Sequence, residues 1–360
     1  MIITPTLPRW SLLVPVLCWV ALAGVLGNFG AFYPLVLTLA LFGGVLTAVY
    51  HAEIVAYKIG EPFGTLLLAL AVTLIEVALI VSLMLAGGEV TAGLARDTVF
   101  AAIMVILTGI IGLCLLFGGI RHGEQSFGLQ GASTALATLA ALAVLTLVLP
   151  NFTSSVSGPH YSQGQLAFIA VVSLALYGTF VLVQTVRHRD YFLPEVEAND
   201  EAIHAPAPST RMAWSSAGLL IVCLVVVVLL AKALAPSLEA AVAAAGAPKA
   251  LVGIIIAIIV LLPEGIAALS AARANRLQTS INLALGSALA SIGLTIPVVA
   301  VISLLTGWQL SLGIDQKSTV LLLLSLFVTT ISLGTGRTTI MQGTIHLVIF
   351  AVYLFTTVIP

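Results

Sequence analysis

Long apolar stretches, separated by short polar connections, follow one another along almost the whole chain. A helix that crosses a lipid bilayer needs about 20 predominantly apolar residues. By this rule the pattern predicts eleven spans, at 12–28, 31–52, 64–86, 98–119, 132–149, 166–186, 216–235, 250–271, 283–306, 318–334 and 338–358. Short connections favour antiparallel neighbouring helices. The sequence therefore predicts an all-α polytopic membrane protein with eleven transmembrane helices.

One connection, residues 187–212, is long, charged and proline-containing, which is typical of a solvated linker. It separates a first helix (residues 1–30) and a first half (31–186) from a second half (213–360). The first apolar run lacks a small-x-small cleavage site, so we expect a retained helix and not a cleaved signal peptide. Each half then contains five spans, and because five is odd the second half enters the membrane from the opposite side. Such inverted-topology repeats are common among secondary transporters.

The distribution of lysine and arginine predicts the orientation, because these residues are enriched in cytoplasmic connections. Nine fall on the side that holds the N-terminus: Arg9, Lys58, Arg121, Arg187, Arg189, Arg211, Arg273, Arg276 and Arg337. Four fall on the other side: Arg96, Lys232, Lys249 and Lys317. We therefore expect the N-terminus and the linker in the cytoplasm and the C-terminus outside.

Composition supports a lipid environment and excludes several classes of partner. Hydrophobic residues make up 60% of the chain and charged residues 8%, whereas soluble domains have roughly 45–50% and about 25%. The net charge of -1 suggests no nucleic-acid partner. Cys18, Cys114 and Cys223 lie in apolar runs, as small core residues do, and do not form a metal or disulfide pattern. We expect no cofactor, and the pattern leaves the oligomeric state open.

Two glutamates interrupt otherwise apolar spans. Glu76 lies near the middle of the third span and Glu264 inside the eighth, and each span is the second helix of its half. An ionisable group at the bilayer centre costs about 2.5–3.5 kcal/mol even on insertion scales. The repeat symmetry would bring the two carboxylates together, so we expect them to bind a metal cation or protons. A purely structural pair of buried glutamates is the simpler alternative.

Residues beside the two glutamates extend this candidate site. Thr73 lies three residues before Glu76, and Pro263 directly precedes Glu264. Proline removes a backbone donor, so we predict a helix break that exposes a carbonyl to an ion, although an ordinary kink explains the proline equally well.

The span after Glu264 is unusually polar and holds Asn282, Ser287 and Ser291. The two serines are four residues apart and share a helix face. We expect these three side chains to line a path for cations and protons. The same span has small residues at helical spacing, Gly286, Ala290 and Gly293, and close helix packing explains these without any role in transport.

Charged residues at the span ends are weaker candidates. Glu53, Asp97 and His122 are possible accessory residues, although each is more simply a solvated loop residue. Glu53 is the best exception, because it follows an apolar run and lies close to His51. Two other classes stay open, a cation channel or gated pore that uses the same acids and an intramembrane enzyme. We expect all six histidines in loops or near span ends, which disfavours the enzyme.

Several motifs resemble the cation/calcium exchanger superfamily, specifically its calcium/proton branch and the bacterial ChaA type within it. Leu262-Pro263-Glu264 and Leu74-Ile75-Glu76 resemble the two repeat motifs. Asn282 to Ser287, with Pro297 and Trp308 beyond, resembles the second polar repeat helix, and Gly118 to Phe127 resembles the loop after the first repeat. The resemblance covers nearly the whole chain.

The resemblance implies a secondary active antiporter of the bacterial inner membrane, not an enzyme, that exports Ca²⁺ and/or Na⁺/K⁺ in exchange for protons by alternating access. The chain departs from the branch at Thr73, Leu261 and Gly265, where Asn, Asn and His are usual, and at Val105 and Ile106, where Ser and Asn are usual. Calcium takes 6–8 oxygen ligands. The poorer oxygen supply suits Na⁺, K⁺ and protons at least as well.

Overall fold

A computed structural model describes residues 7–27, 30, 32–60, 63–87, 91–193, 208–246, 248 and 250–359. These residues form eleven long helices: α1 Arg9–Ala23, α2 Tyr33–Ile59, α3 Phe63–Gly87, α4 Leu94–His122, α5 Leu129–Phe152, α6 Gln163–Arg187, α7 Thr210–Ala244, α8 Ala250–Arg273, α9 Leu277–Thr306, α10 Gln316–Leu333 and α11 Ile340–Val358. Two short strands, β1 Gln125–Ser126 and β2 Arg337–Thr338, pair antiparallel. Much of the predicted linker, at 194–207, lies outside the described residues.

The helices fit a membrane environment by length and composition. Ten of the described helices are long and apolar enough to cross a bilayer, and the apolar stretch described within α3, Ala69–Leu85, is shorter. A spanning segment has to satisfy its backbone groups internally, since the hydrocarbon core offers no water. The predicted all-α membrane fold is confirmed, and each predicted span corresponds to one helix.

The ends of two helices differ from the predicted spans. Helix α2 continues to Ile59, seven residues beyond the predicted end, and therefore contains Glu53. Helix α7 has 35 residues, Thr210–Ala244, and passes through Lys232 and Pro236. Hydropathy identifies only the part of a helix that lies in lipid, whereas backbone hydrogen bonding continues into polar surroundings. The span predictions were therefore too short at these ends.

Three of the long helices contain a π-helical turn, at Val105–Ile110 in α4, Val144–Val148 in α5 and Val183–Arg187 in α6. Each turn has a threonine whose hydroxyl donates to the carbonyl four residues earlier: Thr108, Thr146 and Thr185. Such back-bonding competes with the regular helix ladder and bends helices. Because π-turns are rare and occur frequently at functional sites, these three turns are candidates for a role beyond packing.

Contacts divide the chain into two compact units, and the first comprises Met1–Ser82 and Val196–Val252. Within it α2 packs along α7, and α1 packs against both. The approach of α2 to α7 is close, because a Cβ added at Gly44 would lie 3.0 Å from Val227 Cγ2. Cys18 and Cys223 are buried and free in this unit, which confirms the prediction that they are core residues.

The second unit comprises Leu83–Glu195 and Gly253–Pro360. Helix α4 packs along α11, and α9 packs against α5 and α6. A Cβ at Gly293 of α9 would lie 2.8 Å from Tyr177 Cβ of α6, whereas one at Gly286 would meet nothing within 4 Å among the described residues. The predicted close helix contact is thus present at Gly293 and absent at Gly286.

The contrast between these two glycines predicts a difference in stability. Gly293→Ala forces α6 away from α9, and overpacking of this kind costs about 1–3 kcal/mol. Gly286→Ala is the matched control on the same helix, and both variants gain the same helix propensity. We expect a lower melting temperature in detergent for Gly293→Ala than for Gly286→Ala. Equal melting temperatures would contradict the contact between α9 and α6.

Candidate functional site

Glu264 lies in α8 directly after Pro263, and the helix runs unbroken through both residues from Ala250 to Arg273. The predicted helix break at Pro263 is therefore not present. Loss of one backbone donor does not end a helix when its neighbouring turns stay paired, although the carbonyl of Ile259 has no N–H to accept at position 263. Pro263 leaves a carbonyl one turn before the carboxylate without its usual helical partner.

The Glu264 side chain is buried, with 8% of its surface exposed, and it contacts the predicted polar face of α9. The Ser287 hydroxyl donates a hydrogen bond to Glu264 Oε2, and Ser287 is itself 5% exposed. A hydrogen bond to an ionised acceptor is roughly twice as strong as a neutral one. The structure thus brings together two of the predicted site residues from separate helices.

The polar face of α9 continues beyond Ser287. Ser291 and Thr295 follow at intervals of four residues, and their side chains are 1% and 0% exposed. The Thr295 hydroxyl has no hydrogen-bond partner among the described residues. Sequence reasoning missed Thr295, although its spacing from Ser287 and Ser291 places it on the same helix face. The face therefore carries three buried hydroxyl groups in a row.

Asn282 has contacts of a different kind. Its amide nitrogen donates to the Phe192 carbonyl at 2.6 Å, and its amide oxygen accepts from Gln278 Nε2 at 3.0 Å. Gln278 also accepts from the Gly128 backbone at 2.6 Å. These bonds attach the segment after α6 and the start of α5 to the first turns of α9. The predicted role of Asn282 as a cation ligand stays a prediction.

Glu76 and Thr73 lie on α3 in the first unit and are 5% and 3% exposed. Thr73 Oγ1 donates to the Ala69 carbonyl at 2.9 Å, which leaves its oxygen lone pairs available to a cation. The two side chains are three residues apart and share a helix face. Glu264, Ser287 and Ser291 belong to the second unit, so the expected meeting of the two carboxylates stays a prediction.

The accessory candidates occupy more ordinary positions. Asp97 accepts from Arg96 Nε at 2.7 Å. Arg96 also donates to the Ser311 hydroxyl and the Gly313 carbonyl, at 3.1 Å and 3.2 Å.

His122 is exposed and places Nε2 3.1 Å from the Arg273 carbonyl. Glu53 is half-buried inside α2. The bonds of Arg96 and His122 connect segments of the second unit that are distant in the chain. A role in ion binding remains a prediction for Asp97, His122 and Glu53.

Two histidines contradict the expectation that all of them lie in loops or near span ends. His51 in α2 and His346 in α11 are fully buried, with 0% exposure. His51 Nε2 lies 3.1 Å from the Ser11 carbonyl, and His346 Nδ1 lies 2.7 Å from the Leu107 carbonyl. The expectation was wrong for His346 because it already lies eight residues inside the predicted span 338–358, and for His51 because α2 continues to Ile59. In each case a carbonyl on a neighbouring helix pairs with one ring nitrogen.

The two halves of the chain match one protein family. Residues 29–186 and 215–359 both match the family described as sodium/calcium exchanger protein. The chain belongs to the sodium/calcium exchanger family. The match of both halves agrees with one extra helix followed by two inverted five-helix repeats.

Individual relatives match nearly the whole chain. The Sinorhizobium fredii protein y4hA is 51% identical and covers 98% of this chain and 97% of its own length. The sodium-potassium/proton antiporter ChaA of Escherichia coli is 37% identical and covers 96% of this chain and 95% of its own length. A crystal structure of the H⁺/Ca²⁺ exchanger CAX shares the fold, with a TM-score of 0.73, 18% identity and coverage of 96% and 87%.

The bond between Ser287 and Glu264 gives a prediction for cation binding. Ser287→Ala removes a donor that favours the charged carboxylate, and a bond to a charged group is worth about 1.5–3 kcal/mol. We expect the cation concentration for half-maximal proton flux in vesicles to rise by about tenfold or more. Ser287→Thr keeps the hydroxyl and is the control. If Ser287→Ala and the wild-type protein have the same half-maximal cation concentration, this bond does not contribute to the transport cycle.

Proposed function

We propose that the chain is a secondary active cation/proton antiporter that exports Na⁺, K⁺ and/or Ca²⁺ from the cytoplasm in exchange for protons. In this proposal Glu76 and Glu264 bind the transported ions, and Ser287, Ser291 and Thr73 contribute oxygens. The antiport activity is supported by membership of the exchanger family and by 37% identity to a sodium-potassium/proton antiporter. The assignment of residues rests on their burial within apolar helices.

The single observation that carries the mechanism is the buried Glu264 carboxylate with the Ser287 hydroxyl on it. A carboxylate in a low-dielectric site needs a compensating charge, which is either a proton or a cation. Both use the same oxygens, so they exclude each other. A site of this kind that faces each side of the membrane in turn exchanges one species for the other, and a proton gradient then drives the cation outward.

The oxygen supply favours monovalent cations at this site. Calcium takes 6–8 oxygen ligands, and the described face of α9 offers the Ser287 hydroxyl on Glu264 and, further along the helix, the buried hydroxyls of Ser291 and Thr295. Val105 and Ile106 add no side-chain oxygen on α4. No group of three or more His, Cys, Asp and Glu is found among the described residues. This donor set supports Na⁺ and K⁺ as substrates, with Ca²⁺ as a weaker one.

The membrane placement follows from the family and from charge. The relatives in Sinorhizobium fredii and Escherichia coli are bacterial, which supports a plasma-membrane location for this multi-pass protein. The excess of Lys and Arg on the side of the N-terminus supports a cytoplasmic N-terminus and linker. Under this orientation the C-terminus is outside.

The proposal predicts that both glutamates are required. Glu76→Gln and Glu264→Gln keep the side-chain shape but carry no charge to balance a cation and no carboxylate to accept a proton. We expect each to lose at least about 95% of the cation-driven proton flux in everted vesicles, because a charged interaction of several kcal/mol is removed. Flux is measured on addition of Na⁺, K⁺ and Ca²⁺ in turn.

Glu124→Gln is the matched control, since Glu124 is half exposed and pairs with Arg337 at 3.1 Å outside the apolar spans. An exposed pair of this kind is worth little, so this variant should transport normally. Substantial flux in either buried variant would remove that glutamate from the mechanism. A flux that saturates with cation and depends on the pH gradient distinguishes an antiporter from a channel, which would conduct the cation without proton movement.

A further inference from the structure

His346 is a buried ring that the proposed transport cycle does not use. It lies in α11 with 0% exposure, and its Nδ1 atom is 2.7 Å from the Leu107 carbonyl of α4. Because a carbonyl only accepts, Nδ1 carries the hydrogen and donates it. Nε2 has no hydrogen-bond partner among the described residues. The ring therefore makes one directed bond, and that bond joins two helices 239 residues apart in the chain.

The acceptor of this bond lies inside the π-turn of α4. Leu107 is within Val105–Ile110, and the Ile111 N–H donates to the Ile106 carbonyl, five residues back. The Thr108 hydroxyl donates to the Met104 carbonyl at 2.5 Å within the same stretch. A turn with this spacing is less favourable than regular α-helix. A donor from another helix that bonds to one of its carbonyls stabilises the π-turn at this position of α4.

The approach of α11 to this turn depends on small residues on both helices. A Cβ at Gly112 of α4 would lie 3.0 Å from His346 Cβ, and one at Gly343 of α11 would collide with the Leu116 backbone. A Cβ at Gly109 would lie 3.4 Å from the nearest atom of the Phe350 ring. These contacts fix the distance between the two helices, so that the imidazole of His346 lies within hydrogen-bonding distance of the Leu107 carbonyl.

The other end of the π-turn rests against the turn that carries Glu264. Ile110 is the last residue of the π-turn, and its Cδ1 atom lies 3.3 Å from the position of a Cβ at Gly265. Gly265 directly follows Glu264, whose carboxylate accepts from Ser287. All of these residues belong to the second unit. The contacts thus run from His346 through Leu107 and Ile110 to Gly265, the residue that follows Glu264.

We propose that His346 is a positioning residue for the Glu264 site, because its bond to Leu107 holds the π-turn against which the Glu264–Gly265 turn packs. The inference rests on the proposed function of Glu264 as an ion-binding group. Loss of the bond lets the turn return towards regular α-helical spacing, which rotates Ile110 relative to Gly265. The cation site then loses its geometry, although His346 touches neither cation nor proton.

The test compares His346→Ala with His346→Asn in the full-length protein. Asparagine has an amide N–H at nearly the same place as Nδ1–H and keeps the bond to Leu107, whereas alanine cannot form it. We expect His346→Ala to raise the half-saturating Na⁺ or K⁺ concentration by about fivefold, an effect of the size of one net hydrogen bond. His346→Asn should recover a value within about twofold of the unchanged chain.

Thr357→Val is the control on the same helix, since the buried Thr357 hydroxyl bonds only to the Tyr353 carbonyl of α11. Ile110→Val removes the Cδ1 atom that meets Gly265 and leaves the His346 bond in place. It should raise the half-saturating concentration, and its effect should not add to that of His346→Ala. If His346→Ala does not fold, His346→Asn and Ile110→Val provide the test.

Three results would overturn the proposal: an unchanged half-saturating concentration in His346→Ala, no recovery in His346→Asn, or no effect of Ile110→Val. The rise in melting temperature on adding Na⁺ or K⁺ is measured on the same variants, because a ligand stabilises the state that it binds. This readout reports cation binding without transport. If the wild-type protein does not exchange ions, the proposed function is refuted. If it exchanges ions normally and the variants have the wild-type half-saturating concentration, only the role of His346 is refuted.

Discussion

The second unit contains a carboxylate buried in a membrane helix, and the negative charge of that group has to be compensated. The arrangement of the unit follows from this constraint. Glu264 is 8% exposed and lies within an unbroken helix of 24 residues. The Ser287 hydroxyl reduces the cost of that burial, because it donates to a carboxylate oxygen. The Ile259 carbonyl, which Pro263 leaves without its helical donor, is an acceptor and offers an oxygen to a proton or a cation. Neither group carries a full positive charge, which fits the proposed binding of a proton or a cation by this carboxylate.

Helix packing in this unit serves the same site. In lipid there is no hydrophobic drive between helices, so close approach of small residues replaces it. Gly293 brings α9 against Tyr177 of α6, and Gly112 and Gly343 bring α11 against α4. The first contact holds the helix that carries Ser287, and the second places His346 on the π-turn. Glycines therefore determine how closely the helices around the carboxylate approach one another.

The sequence predicts the helices better than the contacts between them. Every span could be found because a run of about 20 apolar residues is rarely compatible with anything but a membrane helix. The contact of Glu264 with Ser287 could be anticipated because both are polar residues in apolar helices, and Thr295 could have been found from its spacing. The bonds of Asn282 to Phe192 and of His346 to Leu107 could not, because they join positions 90 and 239 residues apart and depend on how helices cross.

The two halves, although built on one repeat, differ in how they provide oxygen. In the second half α9 has a row of buried hydroxyls, the first of which bonds to the Glu264 carboxylate, whereas the matching stretch of α4 has Val105 and Ile106. The one buried hydroxyl of that turn, Thr108, donates to its own helix at Met104. Where these side-chain oxygens are missing, α4 has a π-turn. The His346 ring of α11 donates a hydrogen bond to a backbone carbonyl of this turn. An ion that needs few ligands tolerates such an asymmetric site, and a calcium ion, which takes 6–8 oxygens, does so less well. The two halves therefore differ at matching helices: α9 carries buried hydroxyl groups, whereas α4 carries a π-turn with no further side-chain oxygen than that of Thr108.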